Sequence, residues 1–461
     1  MNYINVHRKK LMVPSFFQVY NFGGGNGDKD REIVYSEFTE DTPALINYYY
    51  INNEYPHIFS NKIFDNVTDK YTNVGDLYND IRKMLISKGE IYGKYSSPDY
   101  DFNKKVFLLD SGAFSIIKFI AKESDYNIDK FMDILPLHID RYYEFANQLH
   151  FDIVIGFDLG GKYTEKDGEK DDDKLMAFLS SMDEDLVNNQ ILEHTIRYLK
   201  NNPSYYPLVL ATVHGRTPQK YAENTRYILS LEQKYGTKFW GFALGGIASA
   251  KQLDDSWFMN IDFRPIGNKP FKDTVAPALA SKIVRSLIDD RPIHALGCGG
   301  YPSILLNYFN GATSFDAASP VRRVGDGNEA STKIVFNPTP SREGFSKYFM
   351  GGINSDGTIR EGKCGYIKLN EVPDKTEMCG CKACNVAGNI HNIKVLYSLK
   401  SIDSEANYFS RQLIGLHAVM QHRKLCEIAS NHHTVDEFCK KYNNDLFQGL
   451  LYVHKSINKG S

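Results

Sequence analysis

Eight short apolar runs, each ending in a polar or glycine-rich turn, constrain this chain more than any other feature. They are LMVPSFFQVY (11–20), ALINYYYI (44–51), VFLLD (106–110), FDIVIGFD (151–158), YPLVLATVHG (206–215), FWGFALGG (239–246), IHALGCGG (293–300) and TSFDAAS (313–319). Such runs bounded by turn residues read as buried strands. Between the later ones, NIDKFMDILPLHIDRYYEFANQL (127–149) and ALASKIVRSLID (278–289) carry apolar residues at three- and four-residue spacing, which predicts helices. Strands alternating with helices imply a parallel sheet, and eight such units predict a (β/α)8 barrel. An open doubly wound sheet is the alternative, because no clear helical pattern follows the second strand.

The barrel reading gives meaning to the polar residues at the strand ends. Asp110, Asp158 and Asp316 each close an apolar run, His214 closes another, and Gly245 and Gly246 close a third. An ionised carboxylate at the end of a buried strand must be hydrated or partnered. Taken singly, each aspartate is ordinary as a loop cap. Three at strand ends of one barrel would converge over its C-terminal mouth, where barrel sites are built.

The bulk composition excludes several classes. A formal net charge of -2 over 461 residues leaves no global basic field, so a nucleic-acid partner must be held by local patches. No run approaches the roughly 18 apolar residues of a membrane span. The N-terminal MNYINVHRKKLMVPSFF lacks the apolar core and small-residue cleavage site of a signal peptide, so a cytoplasmic location is expected. GKYTEKDGEKDDDK (161–174) reads as a solvated loop, or a lid. FGGGNGDKD (22–30) follows a strand but lacks the Lys-Ser/Thr of a phosphate-binding loop and reads as a flexible connection.

Seven cysteines, three of them in CGCKACN, point to a metal site in a reducing compartment. Cys379, Cys381 and Cys384 form C-x-C-x2-C, and Gly380 allows the tight knuckle that three thiolates need to meet one tetrahedral ion. A fourth ligand is required. His391 is nearest in sequence. His417 lies on the apolar stripe Phe409, Leu413, Leu416 and Met420 of an amphipathic helix predicted over 407–425, whereas His422 points elsewhere. His417 is the expected fourth ligand of a structural zinc whose four positions are all filled by protein. Cys298, Cys364, Cys426 and Cys439 are scattered and read as buried thiols. The expected organisation is a barrel over 1–324, a zinc-binding subdomain after the eighth strand over 325–404, and helices over 405–461 closing the barrel and the zinc site.

DSGAFS, GFALGG, HALGCGG, SFDAASP and CGCKACN occur in the order seen in tRNA-guanine transglycosylases, and the chain resembles that superfamily over roughly residues 100–425. Its members are zinc-bearing (β/α)8 barrels that exchange a guanine in a nucleic acid for a 7-deazaguanine. The resemblance implies that Asp316 is the nucleophile that attacks C1′ and holds a covalent glycosyl-enzyme. It makes Asp110 the general acid/base, the carboxyl expected to titrate higher. Asp158 would accept hydrogen bonds from the guanine Watson–Crick edge. Gly245, Gly246 and Ile247 would read the base through backbone groups, and Phe114 and Leu296 would sandwich the ring. His214 stands where the bacterial tRNA enzymes carry glutamine. Arg322 and Arg323 would hold the substrate backbone near the reacting sugar.

Two departures bear on the branch. Lys251 occupies the position, four after Ile247, where the bacterial tRNA enzymes have an acidic residue that helps accept an aminomethyl base. A neutral 7-substituent, such as the cyano group of 7-cyano-7-deazaguanine (preQ0), suits a cation better. SFDAAS and IHALGCGG resemble the archaeal branch, but no archaeal-type RNA-binding module follows. Together these features are most similar to the DpdA-type transglycosylases of bacteria and phages, which act on DNA. The implied partners are a nucleic acid, DNA favoured with tRNA the alternative, and a free 7-deazaguanine base; a homodimer is compatible with this. A non-catalytic binding subunit is the rival of another class, opposed by the retention of all three aspartates. An unrelated barrel glycosidase using Asp110 and Asp316 would leave the cysteine knuckle without a reason.

Overall fold

The computed structural model describes residues 2–20, 42–49, 51, 71–87, 102–159, 172–248, 253–261, 272–318, 333–335, 366–368, 381–387, 395, 398–399, 404–441 and 445–459. An N-terminal hairpin pairs β1 (Asn2–Val6) with β2 (Lys9–Val13). Eight parallel strands follow: β3 (Ser15–Tyr20), β4 (Ala44–Asn47), β5 (Phe107–Asp110), β6 (Ile153–Ile155), β7 (Leu208–Val213), β8 (Gly241–Leu244), β9 (Ile293–Ala295) and β10 (Ser314–Ala317). They close in sequence order, with β10 pairing back to β3, so the open doubly wound alternative is excluded and the fold is a (β/α)8 barrel. Each of the eight apolar runs supplies one barrel strand. The first run is divided: Pro14, which has no N–H to donate, separates the hairpin strand β2 from β3. The second run is strand only to Asn47, and Tyr48 and Tyr49 turn helical.

The surrounding helices begin with α1 (Val74–Ser87), α2 (Ala113–Glu123), α3 (Ile128–Gln148), α4 (Asp172–Ser181), α5 (Glu184–Asn201), α6 (Pro218–Tyr235), α7 (Lys272–Leu287) and α8 (Tyr301–Tyr308). Their ends are set by local chemistry. Asn127 accepts from the Lys130 N–H at the start of α3, and Asp183 from Leu186 at the start of α5. Thr217 caps α6, with Pro218 at its first position and Gly236 in the left-handed region at its end.

Strand alternation sorts the side chains into two cores. Phe17, Val19, Leu45, Leu108, Ile153, Ile155, Leu210 and Ala243 fill the barrel interior, and Val6 and Leu11 of the hairpin join them. The alternate residues, such as Phe16, Ile46, Phe107, Leu109, Ala211, Phe242, Leu244, Ala295 and Phe315, face the helices. The hairpin therefore closes the N-terminal end of the barrel. Lys9 Nζ fastens it there, 2.7 Å from Asp152 Oδ2 and 2.6 Å from the Lys105 carbonyl oxygen.

After β10 come the antiparallel pair β11 (Lys333–Val335) and β12 (Tyr366–Lys368), the short helix α9 (Lys382–Ala387), and the long helix α10 (Ser404–Ala429), followed by α11 (Val435–Lys441) and α12 (Asp445–Ile457). Helix α10 packs on β3, α8, α9 and β11. It occupies the position on β3 where the last helix of a (β/α)8 barrel belongs, so the segment between β10 and α10 is an insertion after the eighth strand. The sequence pattern predicts a one-sided apolar stripe for this helix. Instead Leu413, Ile414, Leu416, His417, Ala418, Val419, His422, Leu425 and Cys426 are all buried, because α10 has the barrel on one side and α9 with β11 on another. No helix among the described residues is long and apolar enough to cross a membrane.

Candidate active site

Inward-facing positions at and just past the C-terminal ends of the strands carry polar side chains. Leu108 points inward on β5, so Asp110, two residues on, does the same above it. Phe315 and Ala317 face the helices, which turns Ser314 and Asp316 into the barrel. By the same parity Asn47, Thr212, His214, Gly245 and His294 face inward.

Asp110 has no cation beside it among the described residues. Asn47, its register partner on β4, donates from Nδ2 to Oδ2 at 3.2 Å, and the backbone amides of Ser111 and Gly112 donate as well. Burial comes first and the neighbouring Asp158 and Asp316 charges second in pushing its carboxyl up to about 7. Gly112 is required where it stands: its φ is 69°, and a Cβ would collide with the Asn47 side chain.

Asp158 lies three residues past the end of β6 and is 8 % exposed. His214 Nε2 is 2.8 Å from its Oδ2, though off the N–H axis, so this is a close polar contact rather than an aligned hydrogen bond. The imidazole is held by its own backbone, whose N–H donates to Asn224 Oδ1 at 3.0 Å. It lies against Gly245, where an added Cβ would come within 2.6 Å of the ring. Ile247 is buried and Leu296 packs against the barrel interior.

Asp316 is also 8 % exposed. Its Oδ1 accepts from the Gly297 N–H at 2.8 Å and lies 3.2 Å from His294 Nε2. The other ring nitrogen of His294 is 2.9 Å from Ser314 Oγ. A carboxylate with one oxygen doubly engaged, beside a second carboxyl poised to hold a proton near neutral pH, is a pair suited to nucleophilic and general acid/base chemistry.

The fold thus brings together Asp110, Asp158, Asp316, His214 and Gly245, with Gly246 beside the His214 ring; Ile247 is buried in the helix-facing core, and Leu296 directly precedes Gly297, whose N–H reaches Asp316. Phe114 is on the first turn of α2, but its side chain lies outside the described residues, as do Arg322, Arg323 and Lys251 entirely. The strand-end pattern does not single out Asn47 and His294. Both are polar residues at inward positions of apolar strands, and period-two counting from Leu45 and from Leu296 would find them.

Of the expected zinc ligands, Cys381 and His417 are described with their side chains. Both are buried, and Cys381 Sγ is 3.3 Å from His417 Nδ1. Two ligands of one tetrahedral zinc, at about 2.3 Å for sulfur and 2.0–2.1 Å for nitrogen, stand about 3.5 Å apart. The pair therefore fits a shared ion, with Cys381, just before α9, presenting its thiol to α10. Among the described residues no three ligating side chains converge; Cys379 and the Cys384 side chain lie outside them, as does His391. His422 faces the other way, toward the Gly299 carbonyl oxygen at 2.9 Å. Cys298, Cys426 and Cys439 are buried, and burial together with the Asp316 charge pushes the Cys298 thiol up to about 12, which leaves it unreactive.

The fold and this site define a (β/α)8 barrel with a polar, three-carboxylate mouth. Comparison with protein-family models and with curated proteins finds no match.

Proposed function

We propose that this protein is a base-exchange transglycosylase that replaces guanine in a nucleic acid, DNA in preference to tRNA, with a 7-deazaguanine such as 7-cyano-7-deazaguanine. The observation that carries the reading is the convergence of Asp110, Asp158 and Asp316 on one barrel mouth, with the Asp110 carboxyl raised to about 7 by burial and by its two neighbours. The ordered motifs DSGAFS, GFALGG, HALGCGG, SFDAASP and CGCKACN support it.

In this reading a flipped or unpaired guanine enters the mouth, since a stacked base cannot reach the strand ends. Asp158 and the His214 imidazole receive its polar edge, and the glycine backbone at 245–246 comes close to it because no side chain intervenes. Asp316, ionised, attacks C1′ and forms a covalent glycosyl ester as the C1′–N9 bond breaks. Asp110 gives the departing guanine its proton. The incoming 7-deazaguanine then surrenders a proton to Asp110 and displaces Asp316, so two inversions restore the original configuration. A carboxyl that titrates near 7 can serve in both directions. Cys379, Cys381, Cys384 and His417 would hold a zinc ion, which supplies folding energy to the insertion and takes no part in base exchange.

The test offers labelled 7-cyano-7-deazaguanine to the protein with duplex DNA, single-stranded DNA and tRNA in turn. Label entering DNA, with equimolar guanine released, is the expected result. Label entering tRNA alone moves the substrate assignment to tRNA, and no incorporation into any of the three overturns the reading.

A further inference from the structure

One buried polar side chain beside the nucleophile has no role in this chemistry. His294 lies in the middle of β9 and is 1 % exposed. Its strand neighbours Ile293 and Ala295 are apolar. An imidazole inside a barrel must satisfy both ring nitrogens or be penalised for desolvation. Packing alone does not call for it: Phe17 meets the ring edge-on at 5.6 Å, and Ala243 is its register partner on β8, so an aliphatic side chain would fill the layer.

Both nitrogens are instead spent on β10. Ser314 is the direct register partner of His294, and Asp316 lies two residues further along the same face. The ring bridges these two side chains, with Nδ1 at 2.9 Å from Ser314 Oγ and Nε2 at 3.2 Å from Asp316 Oδ1. A carboxylate can only accept, so the proton belongs on Nε2, and Nδ1 then accepts from the serine hydroxyl. From the other side, the turn after β9 places Gly297 at φ 68° and aims its N–H at the same Oδ1 at 2.8 Å. Among the described residues, every hydrogen bond to this carboxylate falls on Oδ1.

We propose that His294 is a positioning residue which, with the Gly297 N–H, clamps Oδ1 of Asp316 so that Oδ2 is the oxygen presented to the sugar. This deepens the transglycosylase reading and rests on it. The Oδ2 lone pair forms the C1′–Oδ2 bond while the C1′–N9 pair leaves with guanine, protonated by Asp110. Oδ1 becomes the carbonyl oxygen of the glycosyl ester and keeps both donors. When the incoming base, deprotonated by Asp110, displaces the ester, the charge returning to the carboxylate meets those same donors already in place. His294 transfers no proton in either step; the Asp316 carboxylate fixes which nitrogen carries the proton, and Ser314 satisfies the other.

The experiment compares wild type, His294→Leu and His294→Gln in base exchange, with a spectroscopic reading of the ring. Leu removes the donor; the Gln amide restores an N–H at the distance of Nε2. His294→Leu should lower kcat and the rate of adduct formation about tenfold to a hundredfold, with KM for the nucleic acid unchanged, because a hydrogen bond to a charged oxygen is lost. His294→Gln should recover to within about threefold of wild type. Equal losses in the two variants, or a loss carried by KM, overturn the proposal. Nitrogen NMR of wild-type protein labelled at histidine, with the His294 signals assigned by their absence from His294→Gln, should show the Nε2–H form. An Nδ1–H form overturns the clamp even if the leucine variant does not fold. If wild-type protein exchanges no base at all, the transglycosylase reading is what fails.

Discussion

The two ends of the barrel treat a buried carboxylate in opposite ways. At the N-terminal end Asp152 is completely buried, but Lys9 reaches it at 2.7 Å and the Phe107 N–H donates to the same oxygen at 2.8 Å. Burial pushes its carboxyl up, and the lysine pulls it back toward the ionised form. At the C-terminal end Asp110, Asp158 and Asp316 face one another, and among the described residues no lysine or arginine pairs with any of them. Their partners are an asparagine, two histidines and backbone amides. The lower end is arranged for stability: a charge pair locks the hairpin under the interior core. The upper end keeps like charges together, which is destabilising and persists only where the surrounding strands hold it. That asymmetry is the physical argument for placing chemistry at the upper end.

Replacing Asp316 should have the largest effect. Asp316→Ala should lower base exchange at least about a thousandfold, release no guanine and trap no adduct on denaturing gels, while still binding nucleic acid. Exchange at the wild-type rate would remove the nucleophile from this position. Next, about one zinc per chain is expected by elemental analysis, and Cys381→Ser should lose it together with protease resistance of the segment preceding α10. A folded, active protein without metal would separate the insertion from any ion.

Asp158→Asn should reduce exchange by about two orders of magnitude, because an amide N–H then opposes the donors of the guanine edge at roughly 1–3 kcal/mol per mismatched group. Unchanged kinetics would take Asp158 out of the pocket. At the other end, Lys9→Met leaves Asp152 buried without its cation. Urea unfolding should show a loss of about 2 kcal/mol, less than a fully buried pair would cost because Lys9 is 22 % exposed, with kcat unchanged. A fall in kcat would break the division of labour between the two ends.

The last effect, which vanishes at low pH, sharpens the comparison most. The Asp110 carboxyl sits at about 7 in the fold against an ordinary 3.8. The folded protein therefore holds this proton where the unfolded chain has released it. Stability from this group is greatest below about pH 4, declines as the pH rises to about 7, and is flat above. Asp110→Asn should abolish that decline, making the variant more stable than wild type by about 1–4 kcal/mol at pH 8 and no different at pH 4, while its exchange is slowed. A variant less stable at pH 8 would show that burial and like-charge repulsion do not outweigh the hydrogen bonds that Asp110 accepts.

The eight strands are legible because each is a local fact: a short apolar run cannot be solvated, and a turn residue ends it. The three aspartates are legible for the same reason, as charges placed where an apolar run stops. Asn47 and His294 escape such a reading because a single polar residue inside a strand has no meaning until the strand's inward face is known. The split of 11–20 at Pro14 escapes it because both halves are apolar, one for the hairpin and one for the barrel. Helix α10 reads as one-sided because its second buried face depends on β3, which lies nearly 400 residues earlier in the chain.

The sequence by itself determined the repeating strand–helix pattern, the strand ends that carry carboxylates, and the cysteine cluster, since run length, alternation and charge are properties of neighbouring residues. Only the tertiary structure decided that β10 closes against β3, that the hairpin seals the lower end through Lys9 and Asp152, and that His294 and Ser314 stand beside Asp316. Those outcomes depend on strand register around a closed ring, where shifting one strand by a single residue turns all its side chains to the opposite face.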